Sequence, residues 1–413
     1  MRIGIFTDTY APHINGVATS ILMLENALRK QGHSVFIVTV NPDELSYDFE
    51  NSDRIIRIPG IPTGIYDYRL SGIYPVKAVN KIKEWNLDII HSHTEFGIGT
   101  FARIMAKQLD IPLVHTYHTM YEDYVHYITK GLFDTPSKKI VEYITKFYCD
   151  KTAKELIVPT KKTYDLFKEK YKFDRNVHII PTGIEVEQFY KENSDKHNQK
   201  VIKLKYKLND DDFIIIFVGR IAKEKNIEFL IENHATLVKK KKNVKLLIVG
   251  DGPDREELMK LSEKLNIAGS VIFTGKVPWS EIRDYYNIAD VFTTASYTET
   301  QGLTLIEAMA ASLPVVCLDD EAFNSIIIND LNGYLFKDNN EYLDSMMKII
   351  NSKELRKRLG SQARISSDTY SSKYYAERVI DVYKLALDGM EHSEKRSFFA
   401  KAKDVVKKGF HGK

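Results

Sequence analysis

Short apolar runs alternate with amphipathic helical patterns along most of this chain, and this alternation predicts an α/β fold. In the first half, the apolar runs fall at 3–6, 34–40, 55–58, 88–90, 113–116 and 156–158. In the second half, they fall at 213–217, 246–249, 271–273 and near 291 and 315. The helical patterns between them favour parallel strands, so we predict two doubly wound, Rossmann-like domains.

Turn residues and a polar stretch separate the two halves. Pro181-Thr182-Gly183 ends the first set of strands, and the polar stretch 187–209 leads to the second. We place the first domain at 1–195 and the second at 196–369. A long helical pattern follows at 370–390, and residues 391–413 form a basic, amphipathic tail.

Three apolar runs of the second half end in glycine turns. Val218-Gly219-Arg220 follows the first run, Gly250-Asp251-Gly252-Pro253 the second, and Thr274-Gly275-Lys276-Val277-Pro278 the third. Open α/β sheets bind ligands at the carboxyl ends of their strands, and glycine lets the backbone approach a ligand closely. We expect Arg220, together with Lys225 at the start of the next helix, to meet phosphate. A single glycine turn is more typical of simple chain reversal than of a ligand site, but the order of these turns along the chain is much harder to obtain by chance.

Two glutamates flank another glycine turn, in the segment Glu299-Thr300-Gln301-Gly302-Leu303-Thr304-Leu305-Ile306-Glu307. The amides at 301–303 would point out of a helix N-terminus, where unpaired N–H groups and the macrodipole attract a diphosphate. Glu307 is then placed to accept hydrogen bonds from ribose hydroxyls, and Glu299 faces a sugar beyond the diphosphate. Taken alone, this spacing is more typical of an ordinary strand–turn–helix with two solvated glutamates.

Together these motifs resemble the retaining glycosyltransferases of family 4, which have the GT-B fold. The resemblance extends from Met1 to about Leu387 and rests on Gly16-Val17, on the phosphate loop 218–225, on the turn 250–253 and on the E-x7-E element 299–307. It implies two Rossmann-like domains facing a central cleft, with the acceptor bound by the first domain and the nucleotide sugar by the second. It also implies a C-terminal helix that crosses back to the first domain, and transfer with retention of anomeric configuration.

Gln301 indicates one branch of this family. Many family members have an aromatic residue there, whereas the Glu-Thr-Gln-Gly form is similar to the branch that glycosylates diacylglycerol in low-GC Gram-positive bacteria and mollicutes. This similarity implies transfer of a hexose, expected to be glucose from UDP-glucose, to diacylglycerol. Two alternatives stay open: a saccharide or polyprenyl-linked acceptor in cell-surface polysaccharide synthesis, and a nucleotide-sugar-binding regulatory protein without catalysis.

The motifs and the resemblance together supply a set of donor-binding residues. These are Gly16, Gly219, Arg220, Lys225, Gly252, Val277, Glu299, Thr300, Gln301, Gly302, Leu303 and Glu307. Arg220, Lys225 and the helix amides would neutralise the leaving diphosphate, and no Asp-x-Asp lies in a metal-binding context, so neither a metal nor a cofactor is expected.

Polar residues that follow two strands of the first half are candidates for the acceptor side: His93, Glu95, Tyr121 and Asp123. His118 matches the family histidine that reaches the donor sugar near the reaction centre. We therefore expect His118, Glu299, Arg220 and Lys225 to be catalytic, although a histidine after a strand is often purely structural. His91 and His93 also leave a metal site open, but they are too close in sequence to establish one without further ligands.

Charge, cysteine content and hydrophobicity indicate in which compartment the protein is expected. The formal net charge of +3 is too small to indicate nucleic-acid binding. Two distant cysteines, Cys149 and Cys317, are typical of a reducing compartment. No stretch approaches the roughly 18 to 20 apolar residues of a membrane span, and Met1-Arg2 leads directly into a strand instead of a signal peptide. We expect a cytoplasmic protein, peripheral on the inner face of the cell membrane.

Basic residues interleaved with aromatic and aliphatic ones are concentrated in two regions. Residues 130–175 contain twelve basic residues against seven acids, and residues 391–413 contain seven against three. In the tail, Phe398, Ala402, either Val405 or Val406, and Phe410 recur at helical spacing. Such a basic amphipathic helix suits an anionic membrane surface. Lysine-rich helices that simply face water give the same pattern.

Overall fold

The computed structural model describes the chain except at residues 14, 50–52, 63–68, 96, 119–148, 150–152, 194, 298, 300 and 391–413. The chain divides into two compact units, one formed by residues 1–183 with 373–413 and the other by residues 184–372. The first stretch ends at Gly183, earlier than the boundary we placed at 195. The difference arises because Ile184, Val186 and Phe189 are buried in the core of the second unit.

The described part of the first unit contains a seven-stranded parallel sheet of order β3-β2-β1-β6-β7-β8-β9. Its strands are β1 (Arg2–Phe6), β2 (Ser34–Val40), β3 (Ile55–Ile58), β6 (Ile89–Ser92), β7 (Leu113–Thr116), β8 (Glu155–Val158) and β9 (Val177–Ile179). A short antiparallel hairpin is formed by β4 (Gly60–Pro62) and β5 (Arg69–Ser71). The sheet register pairs Ile5 with Ile37 on one side and with His91 on the other, which places His91 in the centre of the sheet.

Helices connect these strands as the periodicity predicts. They are α1 (Gly16–Lys30), α2 (Val76–Glu84), α3 (Gly97–Leu109) and α4 (Lys161–Asp165), followed by a π-helical turn (Leu166–Lys170). Asn15 caps α1 by accepting a hydrogen bond from the amide of Ala18 at 2.9 Å. The helix ends before Gly32, whose positive φ of 84° suits glycine.

The second unit contains a six-stranded parallel sheet of order β12-β11-β10-β13-β14-β15. Its strands are β10 (Phe213–Val218), β11 (Val244–Val249), β12 (Val271–Phe273), β13 (Val291–Thr294), β14 (Val315–Leu318) and β15 (Gly333–Phe336). Its helices are α5 (Lys196–Lys205), α6 (Ile227–Lys240), α7 (Arg255–Lys264), α8 (Ile282–Asn287), α9 (Leu303–Ala310), α10 (Asn339–Asn351) and α11 (Lys353–Ser367). Short 3-10 turns cover Val186–Phe189, Lys191–Asn193, Lys223–Lys225 and Asp368–Tyr370.

A C-terminal helix, described over residues 372–390, belongs to the core of the first unit. Its buried residues Val379 and Tyr383 lie in one cluster with Ile5 and Val114 of the sheet. The hydroxyl of Tyr383 lies 2.7 Å from Nδ1 of the buried His91. The prediction of a helix that returns to the first domain is therefore confirmed. Across the described residues, every helix is too short or too polar to span a membrane.

The Tyr383–His91 contact generates a stability prediction. Replacing Tyr383 with Phe leaves Nδ1 of His91 in the core without this partner, which should destabilise the first unit by about 1 to 3 kcal/mol. Urea unfolding of a Trp279→Phe background, in which Trp85 reports on the first unit, measures this change. Tyr374→Phe removes a hydroxyl from an exposed position of the same helix and should shift the midpoint little. Equal shifts for the two variants would contradict the assignment.

Candidate active site

Four loops meet at the carboxyl edge of the second sheet, because the strands that precede them are parallel neighbours. The amide of Gly250 donates to the carbonyl of Gly275 at 3.2 Å, which joins the loops after β11 and β12. The amide of Ile221 donates to Asp251 at 3.0 Å, which joins the loops after β10 and β11. Finally, the amide of Tyr297 donates to the carbonyl of Glu224 at 3.2 Å. The turns singled out in the sequence therefore lie side by side.

Two positions in the turn after β11 require glycine. A β-carbon on Gly250 would lie 1.9 Å from the carbonyl oxygen of Gly219, and one on Gly252 would lie 2.1 Å from that of Ile221. Gly250 also has a φ of 141°, a backbone conformation that other residues rarely adopt. The loops after β10 and β11 consequently pack backbone against backbone.

Both predicted phosphate-binding cations are paired with carboxylates. Arg220 forms an ion pair with Glu224, one turn further along the same loop. Lys225 forms an ion pair with Glu299, which follows β13. All four side chains are only partly exposed, so these pairs are less screened than surface ones. The structure brings Lys225 and Glu299 together, and the backbone bond from Tyr297 to Glu224 joins their loop to the one that carries Arg220.

Helix α9 begins at this edge with an N-cap that carries no side chain. Gly302 has a φ of 76° and a β-carbon there would lie 2.6 Å from the ring of Phe323. The carbonyl of Gly302 accepts from the amide of Leu305 at 3.1 Å, which closes the first turn. Gln301 is buried directly before the cap. The N-terminus of an eight-residue helix thus begins beside Glu299, in the geometry that favours bound anions.

Glu307 is buried in α9, and its Oε2 accepts a hydrogen bond from the hydroxyl of Tyr286 at 2.8 Å. Burial raises the pKa of its carboxyl to about 7, although hydrogen bonds from Tyr286 and Trp279 act in the opposite direction. Near neutral pH, Glu307 therefore divides between its protonated and ionised forms. A ligand that donates hydroxyl groups to it would favour the ionised form.

In the first unit, polar residues from three strands converge at the carboxyl edge of the sheet. The amide of His93 donates to the carbonyl of Phe6 at 2.9 Å, and Nδ1 of His93 lies 2.8 Å from Nε2 of His118. Burial lowers the pKa of His118 to about 4 and lowers that of His93 well below its ordinary value. The pair is therefore neutral at physiological pH, with one proton available to the shared hydrogen bond. His118 can accept or donate a hydrogen bond there but is not an acid.

Glu95 lies deeper in the same edge, where its Oε1 is 3.0 Å from Nε2 of His115. The ligand atoms of Glu95, His115 and Cys149 lie within 4.8 Å of one another, which makes them a possible cation cluster within the described residues. Both ring nitrogens of His115 already have partners, because Ser92 bonds the second one at 2.7 Å. Three ligands are also fewer than the four of a structural zinc site.

Sequence reasoning missed several residues of these edges. Glu224 and Tyr286 contact predicted site residues, but neither lies in a glycine turn. Asp8 is buried at the end of β1, where it accepts hydrogen bonds from Thr94 at 2.6 Å and from the amide of Ile98 at 3.0 Å. Burial raises the pKa of Asp8 to about 6. Asp8 follows an apolar strand closely in the sequence, and this position could have identified it as a candidate site residue.

The remaining predicted positions are placed as follows. Gly16 starts α1, where a β-carbon would meet no described heavy atom within 4 Å. Val277 follows β12 and packs against the core of the second unit, and Leu303 is the first residue of α9. Thr300, Tyr121 and Asp123 lie outside the described residues.

Comparison with known proteins decides the family. A family model described as "Glycosyltransferase Family 4" matches residues 14–188, and one described as "Glycosyl transferases group 1" matches residues 198–366. The alpha-monoglucosyldiacylglycerol synthase of Acholeplasma laidlawii is 38% identical over 402 residues, which cover 96% of this chain and 99% of that protein. The chain belongs to the family 4 glycosyltransferases.

Other similarities agree with this family 4 assignment. The alpha-monoglucosyldiacylglycerol synthase of Streptococcus pneumoniae R6 is 40% identical over 337 residues, which cover 81% of this chain and 75% of that protein. Among solved structures, sucrose-phosphate synthase from Thermosynechococcus elongatus has a TM-score of 0.70 at 20% identity, covering 94% of this chain and 99% of that one. The predictions of the family and of the GT-B fold are confirmed.

The buried Glu307 of this glycosyltransferase generates a prediction about pH. Because the folded-state pKa of about 7 exceeds the ordinary 4.5, its contribution to stability is fully present below pH 4.5 and is lost as pH rises through 7. Glu307→Gln should therefore gain stability relative to the parent between these pH values, approaching about 3 kcal/mol above pH 7. Urea unfolding from pH 4.5 to 8 measures it. The same substitution at the exposed Glu263 should produce no such trend, and a parallel pH profile for Glu307→Gln would contradict the assigned burial effect.

Proposed function

We propose that this chain is a 1,2-diacylglycerol 3-alpha-glucosyltransferase that moves glucose from UDP-glucose to diacylglycerol with retention of configuration. The observation that carries the proposal is the linkage of four loops at one sheet edge, which brings two cations, a helix N-terminus and Glu307 together. The names of the two relatives that are 38% and 40% identical support glucose as the sugar and diacylglycerol as the acceptor.

In the proposed complex, the diphosphate lies at the N-terminus of α9, with Arg220 and Lys225 beside it. The nucleoside extends along the helix, so that its ribose hydroxyls donate to Glu307. The sugar extends the other way, towards Glu299. The two resident ion pairs support this arrangement, because an incoming diphosphate would take over both cations and release both carboxylates. Release of Glu299 from Lys225 would free its carboxylate to bind hydroxyl groups of the glucose.

The chemistry follows from this charge arrangement. The bond between the anomeric carbon and the diphosphate oxygen breaks, and the acceptor hydroxyl forms the new bond on the same face. The departing diphosphate oxygen takes the proton of that hydroxyl. Arg220, Lys225 and the helix amides stabilise the negative charge that grows on the diphosphate. In this proposal the protein's own cations meet that charge, and no metal is assigned to the donor site.

We propose, following the family resemblance, that His118 of the first unit acts on the hexose as a neutral hydrogen-bonding group. Its lowered pKa supports this role, because an uncharged ring does not repel the positive charge that develops on the sugar. The hydrogen bond to His93 fixes the position of the ring. His93 and Glu95, which we predicted on the acceptor side, are buried partners of other histidines.

Because the proposed acceptor is a membrane lipid, the enzyme must reach a membrane surface. We propose that it is peripheral on the inner face of the cell membrane. The basic regions 130–175 and 391–413 support attraction to anionic lipid. The tail, and residues 119–148 and 150–152 around the first region, lie outside the described residues. Their contribution to membrane binding stays a prediction.

An assay that crosses nucleotide sugars with acceptors tests the function. UDP-glucose with diacylglycerol in mixed micelles should give the fastest transfer, and Arg220→Ala or Glu307→Ala should lower transfer at limiting donor about ten- to a hundredfold, the cost of losing a hydrogen bond to a charged group. Arg358→Ala, on an exposed face of the same unit, serves as the control. Transfer only to lipid-free saccharides would replace the acceptor, and nucleotide-sugar binding without transfer would indicate a regulatory protein.

Glu299→Gln tests the exchange of ion pairs. The substitution keeps the shape of the side chain but removes the charge that holds Lys225. Binding of UDP, measured by calorimetry, should be unchanged or tighter, whereas turnover of UDP-glucose should fall at least about tenfold because the glucose loses a carboxylate partner. If UDP bound far more weakly to this variant, Glu299 would belong to the nucleotide subsite instead.

A further inference from the structure

His93 lies at the carboxyl end of β6, where the backbone on both sides of it is fixed. Its amide donates to the carbonyl of Phe6 at 2.9 Å, which continues the pairing of β6 with β1. In the next residue, the hydroxyl of Thr94 donates to Asp8 at 2.6 Å and accepts from the amide of Asp8 at 2.9 Å. Because these bonds hold the main chain, the imidazole of His93 has a defined position at this edge of the sheet.

The two ring nitrogens of His93 have different surroundings. Nδ1 lies 2.8 Å from Nε2 of His118. Nε2 is buried and has no hydrogen-bond partner among the residues that the structure describes. The ring of His91 packs against His93 with 4.0 Å between centroids, but both of its nitrogens are already bonded to hydroxyl groups. The hydrogen bond of the His93 ring is therefore the one that Nδ1 makes to His118.

This difference between the nitrogens selects a tautomer of His93. Burial lowers the pKa of His93 well below its ordinary value, so the neutral ring carries one proton. A buried N–H group without a partner is rare in proteins, because it loses its hydration and gains no hydrogen bond in return. The proton is therefore on Nδ1, and Nε2 has only a lone pair. In the shared hydrogen bond, Nδ1 of His93 donates and Nε2 of His118 accepts.

The direction of this hydrogen bond fixes the proton of His118 as well. Burial lowers the pKa of His118 to about 4, so its ring is also neutral. Since Nε2 accepts from His93, the single proton of His118 is on Nδ1. His118 is partly exposed, and within the described part of the chain its Nδ1 makes no hydrogen bond. This side chain consequently offers an N–H donor to a ligand.

We propose that His93 is a positioning residue that holds His118 in the Nδ1-protonated tautomer. His118 then donates a hydrogen bond to a lone pair of a ligand oxygen. It does not take the proton of a substrate hydroxyl, because its Nε2 is occupied by His93. The choice of the hexose as the ligand rests on the proposed function, whereas the tautomer depends only on contacts within the first unit.

Nitrogen-15 NMR of the full-length chain tests the tautomer without any substrate. In protein labelled at histidine, long-range proton correlations distinguish a protonated ring nitrogen from an unprotonated one, and His118→Gln identifies the signals of His118. At neutral pH, the parent should have the His118 proton on Nδ1. In His93→Leu, which removes the donor, the population with a proton on Nε2 should rise. A parent protein with the proton on Nε2 of His118 would overturn the proposal.

His93→Asn and His93→Leu form a matched pair for activity. Both side chains branch at Cγ and have similar volumes, but only asparagine has an amide N–H near the position of Nδ1. For transfer from UDP-glucose to diacylglycerol in micelles, kcat should fall about tenfold in His93→Leu, and His93→Asn should restore most of that loss. Binding of UDP, measured by calorimetry, should be the same in both variants.

The outcomes separate positioning from a purely structural role. Equal kcat values for the asparagine and leucine variants would overturn the proposal, because the donor at position 93 would then have no effect. Weaker binding of UDP by the leucine variant alone would overturn it too, since His93 would then act on the nucleotide. If the parent transferred glucose to no acceptor, the proposed function would fail, and the NMR measurement would still decide the tautomer. That measurement on the parent also decides it if His93→Leu does not fold.

Discussion

The candidate donor site depends on backbones that approach one another more closely than a β-carbon allows. Gly219, Gly250 and Gly252 let the loops after β10 and β11 pack carbonyl against α-carbon. This contact fixes the position of Arg220, and through the 3-10 turn that follows it also fixes Lys225. The loop after β13 then joins the assembly through the backbone of Glu224. Charged side chains with many rotamers can be positioned only because the backbone beneath them has little freedom.

The polar side chains at the two sheet edges differ in their charge. In the second unit, the partly exposed Arg220 and Lys225 form ion pairs with carboxylates. Both side chains therefore keep their charge, and an anionic ligand could replace the carboxylates. In the first unit, burial lowers the pKa values of His91, His93 and His118, so these three side chains are neutral at physiological pH. The two sheet edges therefore offer different groups to a ligand: paired charged side chains in the second unit and neutral imidazoles in the first.

Much of the fold could be predicted from the sequence because buried parallel strands are continuous apolar runs. The runs at 34–40, 55–58, 113–116 and 271–273 became strands with those bounds. The hairpin β4–β5 could not be found in this way, because its three-residue strands contain glycine, proline and serine. The pairs Lys225–Glu299 and His93–His118 were also beyond sequence reasoning as contacts, although all four residues were named. Strand register and loop packing decide such contacts. The protonation of Glu307 depends likewise on burial beside Tyr286.

The path of the chain has a consequence for synthesis on the ribosome. The second unit is continuous, whereas the first unit needs the helix at 372–390 to complete the core around Ile5 and Val114. Everything required for the second unit has therefore emerged before the last part of the first unit is made. The second unit can therefore fold first, while the N-terminal sheet stays partly uncovered until residues 372–390 have been made. During that interval the part of its apolar face that Val379 and Tyr383 later cover is open to a chaperone.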